Sequence, residues 1–280
     1  MNLKIEKVKE SCINQIDFSK LSFGKTFADH MFICEYKDGQ WQNPTIKPYA
    51  PITLEPSASV FHYGQAVFEG MKAYKDDNGH VFLFRPQENY KRINKSCERL
   101  AMPAFPEEWF DKALRTLVDI DSEWIKPGFG NALYLRPFVI ATTPGVQASP
   151  AKDYLFIIIT APVQAYYSGD VRVKIADYYS RAANGGFGFA KAAGNYAGQF
   201  YPTQQAAAEG YQQVMWTDDA THQYLEEAGT MNLWFRLGDT LVTCPTSERI
   251  LDGVTRKSII AVAEKLGIKT EIRPVKVTEL

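Results

Sequence analysis

The 280-residue chain has few of the residues that build metal centres or disulfide frameworks, with only four cysteines and four histidines. The cysteines form no CxxC pair and the histidines show no metal-ligand spacing, so we expect neither a zinc site nor disulfides. The signatures GxSxG, Walker A and HExxH are also missing, which leaves hydrolase and metalloenzyme functions without support. We expect a cytoplasmic protein whose cysteines are reduced thiols, at Cys12, Cys34, Cys97 and Cys244.

The chain also lacks an excess of positive charge and a long apolar run. It has 31 Lys and Arg against 32 Asp and Glu, which removes the electrostatic basis for binding nucleic acid or an anionic membrane. The longest apolar run, 154–163, is far shorter than the ~20 residues that span a bilayer. The first residues alternate Lys and Glu without the apolar core of a signal peptide. A small-molecule ligand is therefore expected.

The length predicts two domains, at ~150 residues per domain. In the first half, strands are predicted at 30–36, 64–74, 81–84, 132–141 and 154–163, and helices after Pro86 and at 109–120. In the second half, strands are predicted from Val171, at 213–216 and at 268–277, with helices toward Gly210 and after Ser258 and a hairpin through Gly238-Asp239. A turn near 166–170 predicts a boundary between a domain of residues 1–168 and one of residues 169–280.

One lysine, Lys191, stands alone among small and aromatic residues, with no other charge between Asn184 and Gly198. A lysine in such a setting loses the solvation of its ammonium form, so its pKa falls and the neutral amine becomes a nucleophile that can form an imine. The surrounding glycines would let the backbone approach a bulky cofactor. From the residues alone, an ordinary lysine of a surface loop remains the alternative.

The same glycines offer a second interpretation, a dinucleotide-binding loop. Gly186-Phe187-Gly188 is a partial fingerprint, and Glu209 lies about where an acidic ribose ligand would sit. The third glycine is missing, because Lys191 takes its place. The predicted strand from Val171 also ends too early to lead directly into the loop.

The segment 251–258 has the design of an anion site. Gly253 permits a turn in which the backbone N–H groups of Val254 and Thr255 point outward at a helix start, where the helix dipole favours phosphate. The alternative is a plain helix cap at Thr255 or Ser258.

Two acids and two arginines could also contact an anionic cofactor or substrate. Either Glu226 or Glu227, just before Ala228-Gly229-Thr230, could be a buried carboxylate that keeps a pyridine nitrogen protonated. Surface acids in a turn are the alternative. Arg85 and Arg136 each follow an apolar strand directly, where an arginine can bind a phosphate or carboxylate, or form a structural ion pair.

Seven strings in order closely resemble the branched-chain aminotransferases: FGKTFADHMF, HYGQAVFEGMKAY, LFRP, LYLRP, KAAGNYA, EAGTMN and GVTRKSI. These enzymes use pyridoxal 5'-phosphate (PLP) and have PLP fold type IV. The resemblance implies a two-domain α+β or α/β fold like that of D-amino-acid aminotransferase, with a small N-terminal domain at 1–168 and a large PLP-binding domain at 169–280. The family continues beyond the equivalent of Leu280, so we expect the large domain to be incomplete at its C-terminus.

By this resemblance Lys191 matches the lysine that holds PLP as a Schiff base and moves the substrate's Cα proton. Tyr196 matches the partner of the cofactor's phenolic oxygen, and Glu227, rather than Glu226, matches the partner of its pyridine nitrogen. The cofactor's phosphate is expected at the backbone amides of Val254 and Thr255, at a helix start, and at the side chain of Arg85. The cofactor-binding positions implied are Lys191, Arg85, Tyr196, Glu227, Thr230, Val254 and Thr255.

The resemblance further implies transamination between Leu, Ile or Val and 2-oxoglutarate, giving branched-chain 2-oxo acids and glutamate in a ping-pong mechanism. It also implies a homodimer with an active site near the interface. Substrate contacts are expected at Tyr63, Phe68, Tyr134, Arg136 and Tyr166. The alternatives are another fold-type IV PLP enzyme (a D-amino-acid transaminase or an aminodeoxychorismate lyase), a non-catalytic fragment, and a nicotinamide-dependent dehydrogenase.

Overall fold

The computed structural model of the chain describes residues 2–164 and 169–280. It divides into two compact units, Met1–Ser168 and Gly169–Leu280. Within the described residues, no helix combines the length and the apolar character needed to cross a membrane.

Unit 1 is built on a large sheet with helices. Its strands are β1 (Lys4–Ile5), β2 (His30–Lys37), β3 (Gln40–Pro48), β4 (Ala66–Phe68), β5 (Met71–Lys75), β6 (Val81–Leu83), β7 (Ala132–Ala141) and β8 (Tyr154–Val163). Among the described residues these eight strands form one sheet in the order β1-β3-β2-β8-β7-β5-β6, with β4 also paired to β7. The two long apolar runs of the sequence are the neighbouring strands β7 and β8, as the sequence predicts.

The predicted strand at 64–74 is interrupted, because its partner strand contains a proline. β4 and β5 both pair with β7 in one register, Phe68 with Phe138 and Met71 with Leu135. Between these pairs, Glu69 faces Pro137, whose nitrogen has no hydrogen to donate to a ladder. Only the Glu69 N–H donates, to the Pro137 carbonyl at 2.7 Å.

The α-helices of unit 1 are α1 (Ser59–Tyr63), α2 (Pro86–Arg99) and α3 (Glu107–Ile120), and short 3-10 helices lie at Ile13–Gln15, Phe18–Lys20 and Ser122–Trp124. Pro86 occupies the first turn of α2, where its fixed φ suits the helix and its missing N–H costs nothing. Both predicted helices are confirmed. Aromatic rings fill the core beside the sheet, where Phe105 stacks on Phe156 with ring centroids 3.8 Å apart.

Unit 2 contains two small sheets, three α-helices and one short 3-10 helix (Val277–Glu279) among the described residues. The α-helices are α4 (Ala193–Ala197), α5 (Phe200–Ala208) and α6 (Val254–Lys265). The strands are β9 (Val173–Ile175), β10 (Gln213–Thr217), β11 (Tyr224–Ala228), β12 (Trp234–Leu237), β13 (Thr240–Thr243), β14 (Thr270–Ile272) and β15 (Val275–Lys276). One sheet has the order β15-β11-β10-β9 and the other the order β12-β13-β14.

The strand predicted at 268–277 is wrong as a single element. It is two strands, β14 and β15, which belong to different sheets and are separated by Arg273-Pro274. The predicted hairpin between β12 and β13 is confirmed, and its turn residue Gly238 has a φ of 60°, which glycine adopts without steric cost.

The pairing of β10 with β11 contains a bulge. Met215 pairs with Ala228 and Thr217 with Leu225, so three steps along β11 match two along β10. The extra residue lies at Glu226-Glu227. A bulge of this kind redirects the side chains that it carries, and here it carries two glutamates.

Candidate active site

Lys191 lies two residues before α4, with its side chain half-buried. Its Nζ donates to the Oη of Tyr196 at 2.8 Å, because α4 turns the chain back so that the fifth residue on faces the lysine. The Asn195 amide donates to the carbonyls of Phe187 and Ala190, both at 2.9 Å, and so holds the loop before Lys191. The Lys191 side chain is therefore half-buried and held by a hydrogen bond, on a loop that is itself tied down.

The glycines before Lys191 serve close packing. A Cβ on Gly188 would lie 2.8 Å from the carbonyl oxygen and 2.9 Å from the Cα of Arg249, so the two backbones touch at this point. Glu209, the candidate ribose ligand, instead forms an ion pair with Lys174 at 2.6 Å. The dinucleotide interpretation consequently has no geometric support.

Glu227 is buried in the bulge of β11, so its interpretation as a surface acid in a turn is wrong. Its Oε1 pairs with Arg181 Nη2 at 2.6 Å, and only 6% of the Glu227 side chain and 5% of the Arg181 side chain are exposed. Its Oε2 accepts from the Asn232 amide at 2.9 Å and from the Leu251 N–H at 3.2 Å. Burial raises the pKa of Glu227 to about 7, while the charges of Arg181 and Lys191 act to lower it.

The neighbouring Glu226 is buried as well, with its own arginine. Arg249 Nε donates to Glu226 Oε1, and Arg249 Nη1 donates to Asn184 Oδ1 at 2.6 Å. Burial raises the pKa of Glu226, whereas the Arg249 charge lowers it. Arg249 thereby connects the bulge to the segment that leads to Lys191.

The predicted anion site lies at the start of α6. Gly253 is the capping residue and has no side chain, so the interpretation of Thr255 or Ser258 as the helix cap is wrong. The Ser258 hydroxyl donates to the Val254 carbonyl at 3.0 Å, inside the helix. The first-turn N–H groups of Val254 and Thr255 keep the orientation that binds an anion at a helix start.

Three of the predicted substrate residues cluster in unit 1. The Arg136 guanidinium lies 4.5 Å from the centre of the Phe68 ring and its Nη2 donates to Tyr134 Oη at 2.9 Å. The ring of Phe23 lies 5.0 Å from that of Tyr134. A Cβ on Gly70 would overlap Tyr134 Oη, so glycine at this position makes room for the tyrosine. In this aromatic cluster the Arg136 guanidinium packs against the rings of Phe68 and Tyr134.

The other predicted residues lie on separate elements of the chain. Tyr63 is exposed at the end of α1 and donates to the Val146 carbonyl. Arg85 precedes α2 with a φ of 49°, and Thr230 is exposed in the turn after β11. Tyr166 lies outside the described residues.

Sequence reasoning missed the arginines that make the buried acids possible. Arg181 and Arg249 each neutralise one glutamate of the bulge. In unit 1, Arg92 binds the fully buried Glu69 through Nε and Nη2 at 2.6 and 2.9 Å. Glu226 and Glu227 stand next to apolar residues in the sequence. Because a buried carboxylate needs a cationic partner, this pair was a signal to look for buried arginines elsewhere in the chain.

Comparison with known proteins places this geometry in a family. The model of the family described as amino-transferase class IV matches residues 66–280. The chain belongs to the class IV aminotransferases. Among the relatives of this class IV aminotransferase is the branched-chain-amino-acid transaminase 1 of Bacillus subtilis, 46% identical over 286 residues, which cover 100% of this chain and 80% of the relative. The branched-chain-amino-acid aminotransferase of Mycolicibacterium smegmatis is 43% identical over 92% of this chain and 72% of its own length.

Solved structures show that the fold is shared at low sequence identity. The branched-chain aminotransferase of Thermoproteus uzoniensis, solved with norvaline, superposes with a TM-score of 0.75 at 22% identity and covers 89% of this chain and 80% of its own. The branched-chain amino acid aminotransferase of Thermobaculum terrenum, solved in its PLP-form, gives a TM-score of 0.73 at 20% identity, with 91% and 80% covered. The predicted fold class is thereby confirmed.

Proposed function

We propose that the protein is a PLP-dependent transaminase that moves the amino group between branched-chain L-amino acids and 2-oxoglutarate. The observation that carries the proposal is the arrangement of Lys191 beside the Tyr196 hydroxyl and close to the buried carboxylate of Glu227. The chain's identity of 46% to a branched-chain-amino-acid transaminase over its whole length supports the choice of substrates.

The residues of unit 2 fit the chemical groups of PLP. Lys191 supplies an amine for the aldehyde carbon, and Tyr196 supplies a hydroxyl for the phenolic oxygen. Glu227 supplies a carboxylate for the pyridine nitrogen. The first turn of α6 offers backbone N–H groups for the phosphate. We also assign Arg85 and Thr230 to the cofactor.

The chain's residues divide the chemical work. Bound PLP supplies an electron sink that makes the substrate's Cα proton acidic. Lys191 would hold the cofactor through its Nζ, and the same amine, once free, would serve as the acid–base group for the substrate's Cα proton. Tyr196 orients the Lys191 amine through their hydrogen bond. Arg181 favours the charged form of Glu227, which the pyridinium nitrogen requires.

Substrate recognition is assigned to Phe68, Tyr134 and Arg136, with Tyr63 and Tyr166 as further contacts. Aromatic faces suit an aliphatic side chain, and a guanidinium suits the second carboxylate of 2-oxoglutarate or glutamate. Over one cycle, the amino acid gives up its amino group and leaves as the 2-oxo acid, and 2-oxoglutarate leaves as glutamate.

We further propose a homodimer that acts in the cytoplasm. The resemblance to branched-chain aminotransferases supports the dimer. The thiols of Cys34, Cys97 and Cys244 are free and buried, which suits a reducing compartment.

The test is Lys191→Ala, with Lys265→Ala, an exposed lysine of α6, as the matched control. The wild-type protein and the control should show a cofactor absorbance band that borohydride abolishes, with the label on Lys191, and should transaminate leucine with 2-oxoglutarate. Lys191→Ala should show neither the labelled absorbance band nor the transamination of leucine. Full activity of Lys191→Ala would refute the proposal, and activity with D-amino acids alone would favour the D-amino-acid transaminase alternative.

A further inference from the structure

Asn232 lies where three parts of unit 2 meet. It forms an isolated β-bridge with Glu227, across the turn that follows β11. Its side-chain amide donates to Glu227 Oε2 and to the Leu251 carbonyl, both at 2.9 Å. The Leu251 N–H returns to the same Glu227 oxygen at 3.2 Å. One amide group therefore ties the buried carboxylate to the segment that enters α6.

The other end of the same side chain explains Gly253. A Cβ on Gly253 would overlap Asn232 Oδ1 and lie 3.1 Å from Asn232 Cγ. The φ of Gly253 is −68°, which any residue adopts, so its backbone conformation does not require glycine. The space is taken by Asn232, which packs directly against the residue before α6.

We propose that Asn232 is a positioning residue that fixes the distance between Glu227 and the first turn of α6. This inference rests on the proposed function, which assigns these two places to the ring nitrogen and the phosphate of PLP. A pyridine ring with its phosphate arm has little freedom in length, so only a narrow range of separations lets both ends bind at once. A site held at that separation before binding loses less entropy when the ligand binds.

The chemistry of the amide is specific to this task. Both hydrogens of the Asn232 amide are used, one for each partner, and an aspartate of the same shape would have none to donate. It would also place a second acid against Glu227 Oε2. Asn232→Asp therefore removes the connection without changing the packing, whereas Asn232→Ala removes both.

The experiment compares holoenzyme carrying Asn232→Asp or Asn232→Ala with wild type, with Gln223→Glu as the control. Gln223 is exposed in the same unit, and the control makes the same change from amide to acid. The readouts are the rate of PLP loss on dilution, the pH dependence of the cofactor's absorbance band, and hydrogen exchange at the Leu251 and Thr255 amides. We expect PLP loss and Leu251 exchange to accelerate ~10- to 100-fold in both variants, the range for hydrogen bonds to a charged group.

A double-mutant cycle with Gly253→Ala adds an independent check. Alanine at 253 should push Asn232 aside and reproduce the faster PLP loss, and the combination with Asn232→Ala should be no worse than the poorer single variant. Additive effects would overturn the proposal.

Other outcomes also test the role of Asn232 and the proposed function. A lowered melting temperature in Asn232→Ala with unchanged PLP loss, pH profile and Leu251 exchange would reduce Asn232 to a structural residue and overturn the proposal. A wild-type protein without the cofactor band would refute the proposed function instead. In that case, unchanged Leu251 exchange in Asn232→Asp would still overturn the connection, and faster exchange would support it.

Discussion

The ion pair between Arg181 and Glu227 gives the sharpest prediction, because both side chains are buried, at 5% and 6% exposed. Arg181→Met keeps most of the volume but removes the ion-pair partner of Glu227. Breaking a buried pair from one side costs about 3–5 kcal/mol of unfolding free energy. The control is Arg115→Met on α3, whose pair with Asp111 has side chains 62% and 43% exposed and should contribute less than about 1 kcal/mol.

The loss should depend on pH in a defined direction. Burial raises the pKa of Glu227 to about 7 from the ordinary value of 4.5, so the folded state binds the proton more tightly and stability falls as pH rises between these values. Removing Arg181 raises the folded pKa further, so the difference between variant and wild type should be small below this window and grow above it.

The assay is urea unfolding of the cofactor-free protein, followed by tryptophan fluorescence at about pH 5 and about pH 8.5. The loss in Arg181→Met at the higher pH should exceed that at the lower pH by about 1.4 kcal/mol for each unit of added pKa shift, until the folded pKa of Glu227 passes the pH of the assay. An equal loss at both pH values, or a loss no larger than in Arg115→Met, would refute the reasoning.

Two further predictions concern unit 1 and the thiols. Gly70→Ala should displace Tyr134 and raise the KM for leucine roughly tenfold, as for the loss of one good hydrogen bond, with the cofactor's absorbance unchanged; a wild-type KM in steady-state assays would contradict the substrate assignment. Ellman's reagent should label only Cys12 before unfolding, because burial raises the pKa of Cys34 and Cys97 to about 12 and of Cys244 to about 11. Rapid labelling of any second thiol in the native protein would contradict this.

Elements with a strong local pattern could be predicted from the sequence. β7 and β8 have the predicted bounds, because apolar runs of ten residues leave few other structures open. β3 was missed, since Gln, Asn and Pro weaken its strand pattern, and its pairing with β2 supplies what local propensity does not. Tertiary contacts decided that strand.

The candidate site also combines contacts that local sequence predicts with contacts between residues that are distant in sequence. Lys191 and Tyr196 are five residues apart, so their meeting depends on one local helix. The choice of Glu227 over Glu226 came from resemblance, because the pattern offers no distinction between two adjacent acids. Both are buried, and the partners that differ between them, Arg181 and Arg249, are distant in sequence.

The bulge in β11 has a consequence for changes in chain length. Since β10 leaves one residue of Glu226-Glu227 unmatched, deleting either glutamate would regularise the ladder and still leave one acid at this place. A substitution, in contrast, removes an acid and keeps the irregular strand. Length variants and substitutions at these two positions therefore separate the effect of the carboxylate's charge from that of the direction in which the backbone points it.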